Sequence, residues 1–167
     1  MHNASQTNDF ECRRCAKCCR NLLENKEGIM RGLPLTERET KLFRVELIAP
    51  KLAVGMKKPE TVVLYQLTVN CCPFVNEENQ CKIYPARPLM CQSFPVVAGA
   101  LSNRCQIYSY RIPGASYDEP FSMAAQLQAN EKLEKYIQNR LTKSNRKGLK
   151  IWEYNLATMK WLEQKIC

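Results

Sequence analysis

Histidine is almost missing from this chain: the only one among 167 residues is His2, in a polar opening stretch. A Ser/His/Asp triad or a Cys/His nucleophile pair would lack its imidazole base, and a mixed Cys/His zinc site is not expected. Glycine is scarce as well, at six residues, and no glycine-rich phosphate loop occurs. No apolar run is long enough to span a bilayer, and no basic n-region followed by an apolar h-region opens the sequence. The expected location is therefore cytoplasmic, with no membrane partner. Internal repeats and low-complexity tracts are absent too.

What the chain does have is cysteine, ten residues of it, in a composition that is otherwise ordinary for a folded protein: 45% hydrophobic and 25% charged. Its length fits one domain able to bury a core without obligatory disulfides. In a reducing compartment, clustered thiols bind metal or do redox work more often than they pair. Four thiolates close a tetrahedral zinc site or ligate one iron–sulfur cluster, so eight suffice for two centres.

Residues 1–9 are polar and read as a flexible leader. Cys12, Cys15, Cys18 and Cys19 follow at once, in the pattern CxxCxxCC. If this stretch is helical, Cys12, Cys15 and Cys19 share one face while Cys18 points aside, which would send the adjacent pair to different centres. Thr36 and Glu39 have capping-box spacing ahead of Leu42, Phe43 and Leu47, predicting a helix over about 36–48. Pro50 and Pro59 bracket a basic linker, and the β-branched run Thr61 to Val69 predicts a buried strand leading to Cys71 and Cys72. Asn76-Glu77-Glu78-Asn79 is a turn that sets Cys72 and Cys81 at the base of a hairpin or knuckle. Pro85, Pro88 and Pro95 make the region around Cys91 irregular, and Cys105 opens a short predicted strand ending near Arg111. Beyond Ser122, Met123, Leu127, Tyr136, Ile137 and Leu141 fall at helical spacing, and Trp152, Leu156, Met159 and Ile166 continue it, predicting two helices hinged near Gly148.

Several ordered motifs together resemble a known group, the CxxCxxCC cysteine-cluster family (YkgJ-like), whose members are described as zinc- or iron-chelating and often as iron–sulfur proteins. The match is carried by Cys12 to Cys19, Cys72-Pro73-Phe74, the run from Cys81-Lys82-Ile83-Tyr84-Pro85 through Arg87-Pro88-Leu89-Met90-Cys91, Phe94-Pro95 and Cys105. The resemblance covers about residues 10–112. It implies Cys12, Cys15, Cys18, Cys19, Cys72, Cys81, Cys91 and Cys105 as metal ligands, and leaves Cys71 and Cys167 outside the pattern. Ala16 stands where the family often has glycine, and Gln92 where arginine often follows. Some relatives are flagellin lysine methylases on much longer chains, and the roughly 55 residues past the motif region leave little room for a separate cofactor-binding domain. Tyr84 is expected in the core, Pro88 at a turn and Arg87 as a neutraliser of thiolate charge.

The formal charge of +9 counts every cysteine as neutral. Two four-thiolate centres, each carrying about −2, would lower it to roughly +5. Arg13, Arg14, Lys17 and Arg20 accompany the first cluster and would offset part of that charge. Lys132, Lys135, Arg140, Lys143, Arg146, Lys147 and Lys150 form a separate basic stretch opposed only by Glu134. Such a stripe suits phosphate contacts on structured RNA, a ribosomal surface included.

These readings combine into an α+β fold, a small metal-stabilised domain with short strands, irregular cysteine loops and two C-terminal helices. Residues 1–9 form the leader, 10–112 the cysteine-cluster metal-binding domain, and 113–167 a basic helical extension packed on it. The expected function is a metal-binding protein, zinc or iron–sulfur with two centres, that docks on RNA or the ribosome. The alternative is an iron–sulfur redox protein or enzyme component. No catalytic residue and no small-molecule substrate stands out.

Overall fold

A computed structural model describes residues 10, 12, 14–102, 105, 123–143 and 148–164. Its frame is a five-stranded antiparallel sheet made of β3 (Pro34–Leu35), β4 (Ile48–Gly55), β5 (Thr61–Leu67), β8 (Lys150–Asn155) and β9 (Lys160–Gln164), in the order β3-β5-β4-β8-β9. A hairpin of β1 (Glu24–Lys26) and β2 (Ile29–Arg31) turns at Glu27 and Gly28, both with positive φ. That pair of left-handed residues makes the primed turn whose twist matches the flanking strands. A short helix α1 (Leu89–Ser93), a two-stranded ribbon of β6 (Val96–Val97) and β7 (Ala100–Leu101), and a long helix α2 (Ala124–Lys143) complete the described elements.

The fold is thus mixed, with sheet and helix sharing one core. Val54, Val63 and Leu64 of the two central strands meet Leu133 of α2, with Met90 of α1 and Tyr136, Ile137 and Leu141 of α2 packed around them. A second cluster joins Leu35, Phe43 and Leu67, with Phe74 against the Phe43 ring at 5.2 Å. Full burial of one such aliphatic side chain stabilises the fold by about 1.5–3 kcal/mol.

The strand expected over 61–69 is β5. The helix expected over 36–48 does not form. Thr36 and Glu39 do make their reciprocal capping contacts, the Thr36 amide donating to Glu39 Oε2 at 2.7 Å and the Glu39 amide to Thr36 Oγ1 at 3.4 Å. The chain then runs through two tight 3₁₀ turns, Glu39–Leu42 and Val45–Leu47, separated by an extended Phe43. Extending Phe43 places its ring in the second cluster, and that burial outweighs the weak helical propensity of a short segment. Residues 50–59, read as a linker, contain most of the central strand β4. Pro50 is tolerated there because β8 pairs with β4 only from Leu52 onward, and the register shifts beside the proline.

Gln66, fully buried, fills that gap. Its amide nitrogen donates to the Pro50 and Tyr154 carbonyls, and its oxygen accepts the Gly32 amide at 2.8 Å.

Of the two C-terminal helices, α2 is present and the second is replaced by the β8–β9 hairpin. Ile151, Trp152 and Tyr154 favour strand, and alternation puts Glu153 and Asn155 on the buried side. Trp152, Leu156 and Met159 have helical spacing only because a tight turn, with Met159 at φ 54, falls between the strands. The inward polar pair is satisfied. Arg31 clamps both Glu153 oxygens at 2.6 and 2.9 Å, while Asn155 accepts the Met30 amide and donates to the Gly28 carbonyl. Leu127 is half exposed rather than buried. The strand expected from Cys105 to Arg111 lies outside the described residues beyond its first position.

A Cβ on Gly32 would stand 1.7 Å from the Leu67 carbonyl oxygen, backbone that cannot move without breaking the sheet. Gly32→Ala is expected to destabilise the protein by about 3 kcal/mol or more, read as a lower denaturation midpoint in urea at unchanged m-value.

Candidate metal centre

The first cysteine segment is not helical. Arg14 and Ala16 both have positive φ, 55° and 53°, and a single helical turn closes from the Arg20 amide to the Ala16 carbonyl at 2.9 Å. The expected face shared by Cys12, Cys15 and Cys19 therefore does not exist. Left-handed backbone at Ala16 is the conformation that glycine adopts without cost. Ala16 is 3% exposed and lines the cysteine cavity.

Main-chain hydrogen bonds fasten the other thiols to this segment. The Cys72 amide, just past β5, donates to the Cys19 carbonyl at 2.7 Å, and the Leu22 amide to the Asn70 carbonyl at 2.9 Å. The expected turn at 76–79 is formed, with Val75 and Cys81 bridged across its base and Asn79 left-handed. Arg20 reaches over from the first segment to Asn79 Oδ1 at 2.9 Å. Cys91 rides on α1, whose first amide, Leu89, donates to Glu39 Oε1 at 2.6 Å. One carboxylate thus caps two segments. Cys105 is buried and closes a turn onto the Ser102 carbonyl.

Cys12, Cys15, Cys18, Cys19, Cys72, Cys81, Cys91 and Cys105 all line a single cavity of about 540 Å³, and Cys71 does not. No disulfide joins any described cysteine. Cys18 and Cys19 bring their sulfurs to 3.9 Å, but among the described residues no three Cys, His, Asp or Glu side chains stand close enough to hold one ion in common. The thiols surround a space rather than a point. The donor set nevertheless fits zinc or iron: its eight thiols are soft, no imidazole lines the cavity, and Glu24 is the one carboxylate among its described lining residues.

Two amides already point at sulfur, each from two residues downstream. The Arg14 amide donates to Cys12 Sγ at 3.4 Å, and the Phe74 amide bonds the Cys72 sulfur. The bond to Cys72 favours its thiolate. Against this, the shared hydrogen bond with Cys18, then burial, holds the Cys19 thiol far above its ordinary range, and burial with the neighbouring thiols does the same for Cys91. Burial raises Cys72 as well. Gathered thiols resist ionising together unless a cation joins them.

Arg87 supplies part of the positive charge. Its guanidinium acts on both Cys19 and Cys91, and it is fixed by stacking 3.7 Å from the Tyr84 ring centre and by donating to the Tyr84 carbonyl. Tyr84 is a half-exposed platform for the arginine, not the core residue expected.

Lys132, Lys135, Arg140 and Lys143 lie on α2, and Lys150 begins β8. Arg146 and Lys147 lie outside the described residues. Three of the stripe's cations are occupied by carboxylates: Lys135 by Glu131, Arg140 by Glu37 and Lys150 by Glu163. Two further cations, Arg31 and Lys51, line the cysteine cavity without having stood out in the sequence. Nothing in their local pattern marks them, since neither β2 nor β4 carries a clear strand signal.

A cavity lined by eight thiols, on a mixed fold with no histidine among the described residues, offers the donors that a soft-metal chelator needs. The chain belongs to the CxxCxxCC family, whose description is "Putative zinc- or iron-chelating domain", matched over residues 11–139. That match runs past the motif region into α2. No curated protein and no solved structure matches the chain. Among the described residues, no helix is long and apolar enough to cross a membrane.

Because Cys71 stays off the cavity wall while Cys72 is tied to Cys19, Cys71→Ser is expected to keep the full metal content. Cys72→Ser is expected to lose metal. Elemental analysis of both purified variants checks the pair.

Proposed function

We propose that the chain holds two four-thiolate metal centres side by side, and that these centres stabilise the domain. The supporting observation is the convergence of eight cysteines from distant segments on one cavity. Cys19, Cys72, Cys81 and Cys91 form one set: Cys72 feels the charges of Cys19 and Cys81, and also that of Cys71 off the cavity wall, Cys91 feels all three of the others, and Cys19 also feels Cys18. Cys12, Cys15, Cys18 and Cys105 form the other. Cys18 and Cys19 then stand at the junction and serve different centres, although no helical face separates them. Bound metal would neutralise thiolates that otherwise repel, and it would close the long loops joining segments 12–19, 72–91 and 105. Zinc and iron both satisfy such sets.

Two metal equivalents of zinc, or an iron and sulfide content matching two clusters with visible absorption, are expected from anaerobically purified protein. Strong chelation should abolish the cooperative melting transition; a metal-free protein melting as before would sink this reading.

RNA docking through the basic stretch is the second proposal. It is favoured by a cleft of about 310 Å³ where Arg38 and Lys143 flank the Glu37–Arg140 pair. Lys132 and Lys143 hold no carboxylate among the described residues. Replacing Lys132 and Lys143 with glutamine should lower affinity for structured RNA and reduce the salt slope by about 0.7–0.9 for each phosphate no longer bound, at unchanged metal content. Filter binding across a salt series measures both.

A further inference from the structure

β8 is folded the opposite way round from most strands that face water on one side, which turn their apolar residues inward and their polar ones out. Glu153 and Asn155 share its inward side with Ile151, while Trp152 and Tyr154 face the other way and stay partly exposed. β9 adds a third ring to that outer side. Trp161 stands directly opposite Tyr154 in the ladder and is partly exposed too. Because Glu163 lies opposite Trp152, Trp152 and Trp161 are diagonal neighbours on one face. They are the chain's only two tryptophans.

The rings are held in place. Tyr154 and Trp161 meet edge to face, with centroids 5.2 Å apart and planes at 71°, and the Trp152 indole N–H donates to the Gly55 carbonyl at 3.3 Å. A cross-strand aromatic pair stabilises a hairpin, which accounts for Tyr154 and Trp161. It does not account for Trp152, whose cross-strand neighbours are Ala53 and Glu163. Rings already fixed lose little freedom when a planar group stacks on them.

The charge beside these rings is mainly positive. The bond to Gly55 sets Trp152 at the start of the turn Met56-Lys57-Lys58, where Lys57 and Lys58 are exposed and hold no carboxylate among the described residues. Lys150, on the same side of β8 as Trp152, lies opposite Gly55 and holds Glu163 at 2.8 Å. Lys160, next to Trp161 in the chain, is exposed and likewise holds no carboxylate among the described residues. With Glu163 taken by Lys150, and Glu153 held by Arg31 on the inward side, Glu60 is the one carboxylate left on the turn and the hairpin.

Flat rings bordered by lysines suit a ligand that alternates planar groups with negative charges. A single strand of nucleic acid does this, since every base has a π-face and each is joined to the next by a phosphate. A duplex presents its phosphates but keeps its bases stacked on one another. An acidic protein segment would satisfy the lysines and leave the rings unmatched. We propose that this face of the β8–β9 hairpin binds single-stranded nucleic acid, with bases stacked on Trp161 and Trp152 and phosphates on Lys57 and Lys58. The site is separate from the basic stretch read as an RNA contact, with which it shares only Lys150: there charge meets structured RNA, here rings meet unpaired bases.

The test uses the full chain as purified with its metal, followed through its two indole N–H proton signals, which Trp161→Phe assigns. Oligouridylate and oligodeoxythymidylate are the probes; an abasic oligomer of equal length and a duplex RNA are the controls. Either single strand should move the Trp161 signal saturably, and the Trp152 signal with it, while the abasic oligomer and the duplex leave both in place. Trp161→Leu should weaken binding of a dye-labelled oligouridylate by about tenfold or more, measured by fluorescence anisotropy, and Trp161→Phe should keep part of it. The wild-type titration decides the matter even if Trp161→Leu fails to fold. No saturable shift of either indole with either strand, or an equal shift with the abasic oligomer, would overturn the proposal. The duplex separates the two nucleic-acid readings: duplex binding with no indole shift from either single strand overturns this one and leaves the basic-stretch reading standing, and indole shifts from single strands with no duplex binding do the reverse.

Discussion

The antiparallel ladder between β4 and β5 carries the rest of the molecule. Most of the cysteine-bearing chain has little regular structure, so its main-chain polar groups cannot satisfy one another in a repeating pattern and need partners fixed elsewhere. The ladder provides that fixed reference. Cys72 leaves the end of β5 and ties Cys19 to it by one main-chain bond. The α1 helix bearing Cys91 packs with Val63, Leu64 and α2 on the same strands. Without a rigid pair of strands, eight thiols could not be held around one space against the entropy of the loops between them.

The carboxylate of Glu39 and the amide of Gln66 do a similar task at two other joints. Glu39 satisfies amides in two segments, the 3₁₀ turn and the start of α1, and so couples the position of Cys91 to the turn after β3. Gln66 fills the gap left where β8 stops pairing beside Pro50. Both are buried or partly buried polar groups whose hydrogen bonds are made, the condition under which such groups specify one arrangement rather than weaken it. Positive charge is divided by location in the same manner. Arg87 and Arg20 act on the thiols, Arg31 holds Glu153, and Lys135 and Arg140 of α2 meet neighbouring carboxylates.

The parts legible in the sequence were those with local causes. β5 announces itself by a β-branched run, the 76–79 turn by its asparagines, and α2 by twenty residues of helical spacing. The capping pair Thr36 and Glu39 was also legible as a pair, but the helix behind it was not decided locally: the Phe43 ring gains more by entering the second core cluster. The C-terminal hairpin escaped the same reading for a related reason. Its turn spaced Trp152, Leu156 and Met159 as a helix would, and only pairing with β4 distinguishes a strand whose inward residues are Glu153 and Asn155. β4 was hidden by Pro50, whose tolerance depends on where a strand a hundred residues later stops pairing.

The kind of soft donor on offer was legible in the sequence alone, because softness and donor type are properties of residues: with ten cysteines and one histidine, the chain's soft donors are almost all sulfur. The family followed from the order and spacing of the same residues. Where each thiol stands, which of them are electrostatic neighbours, and that Cys72 lines the cavity while Cys71 does not were decided by tertiary structure. Adjacent residues can point to opposite surroundings, and only the backbone path, left-handed at Arg14 and Ala16 and pinned at Cys19, settles which. Arg31 is the clearest case: nothing about an arginine in a three-residue strand shows that it holds Glu153, a residue 122 positions away.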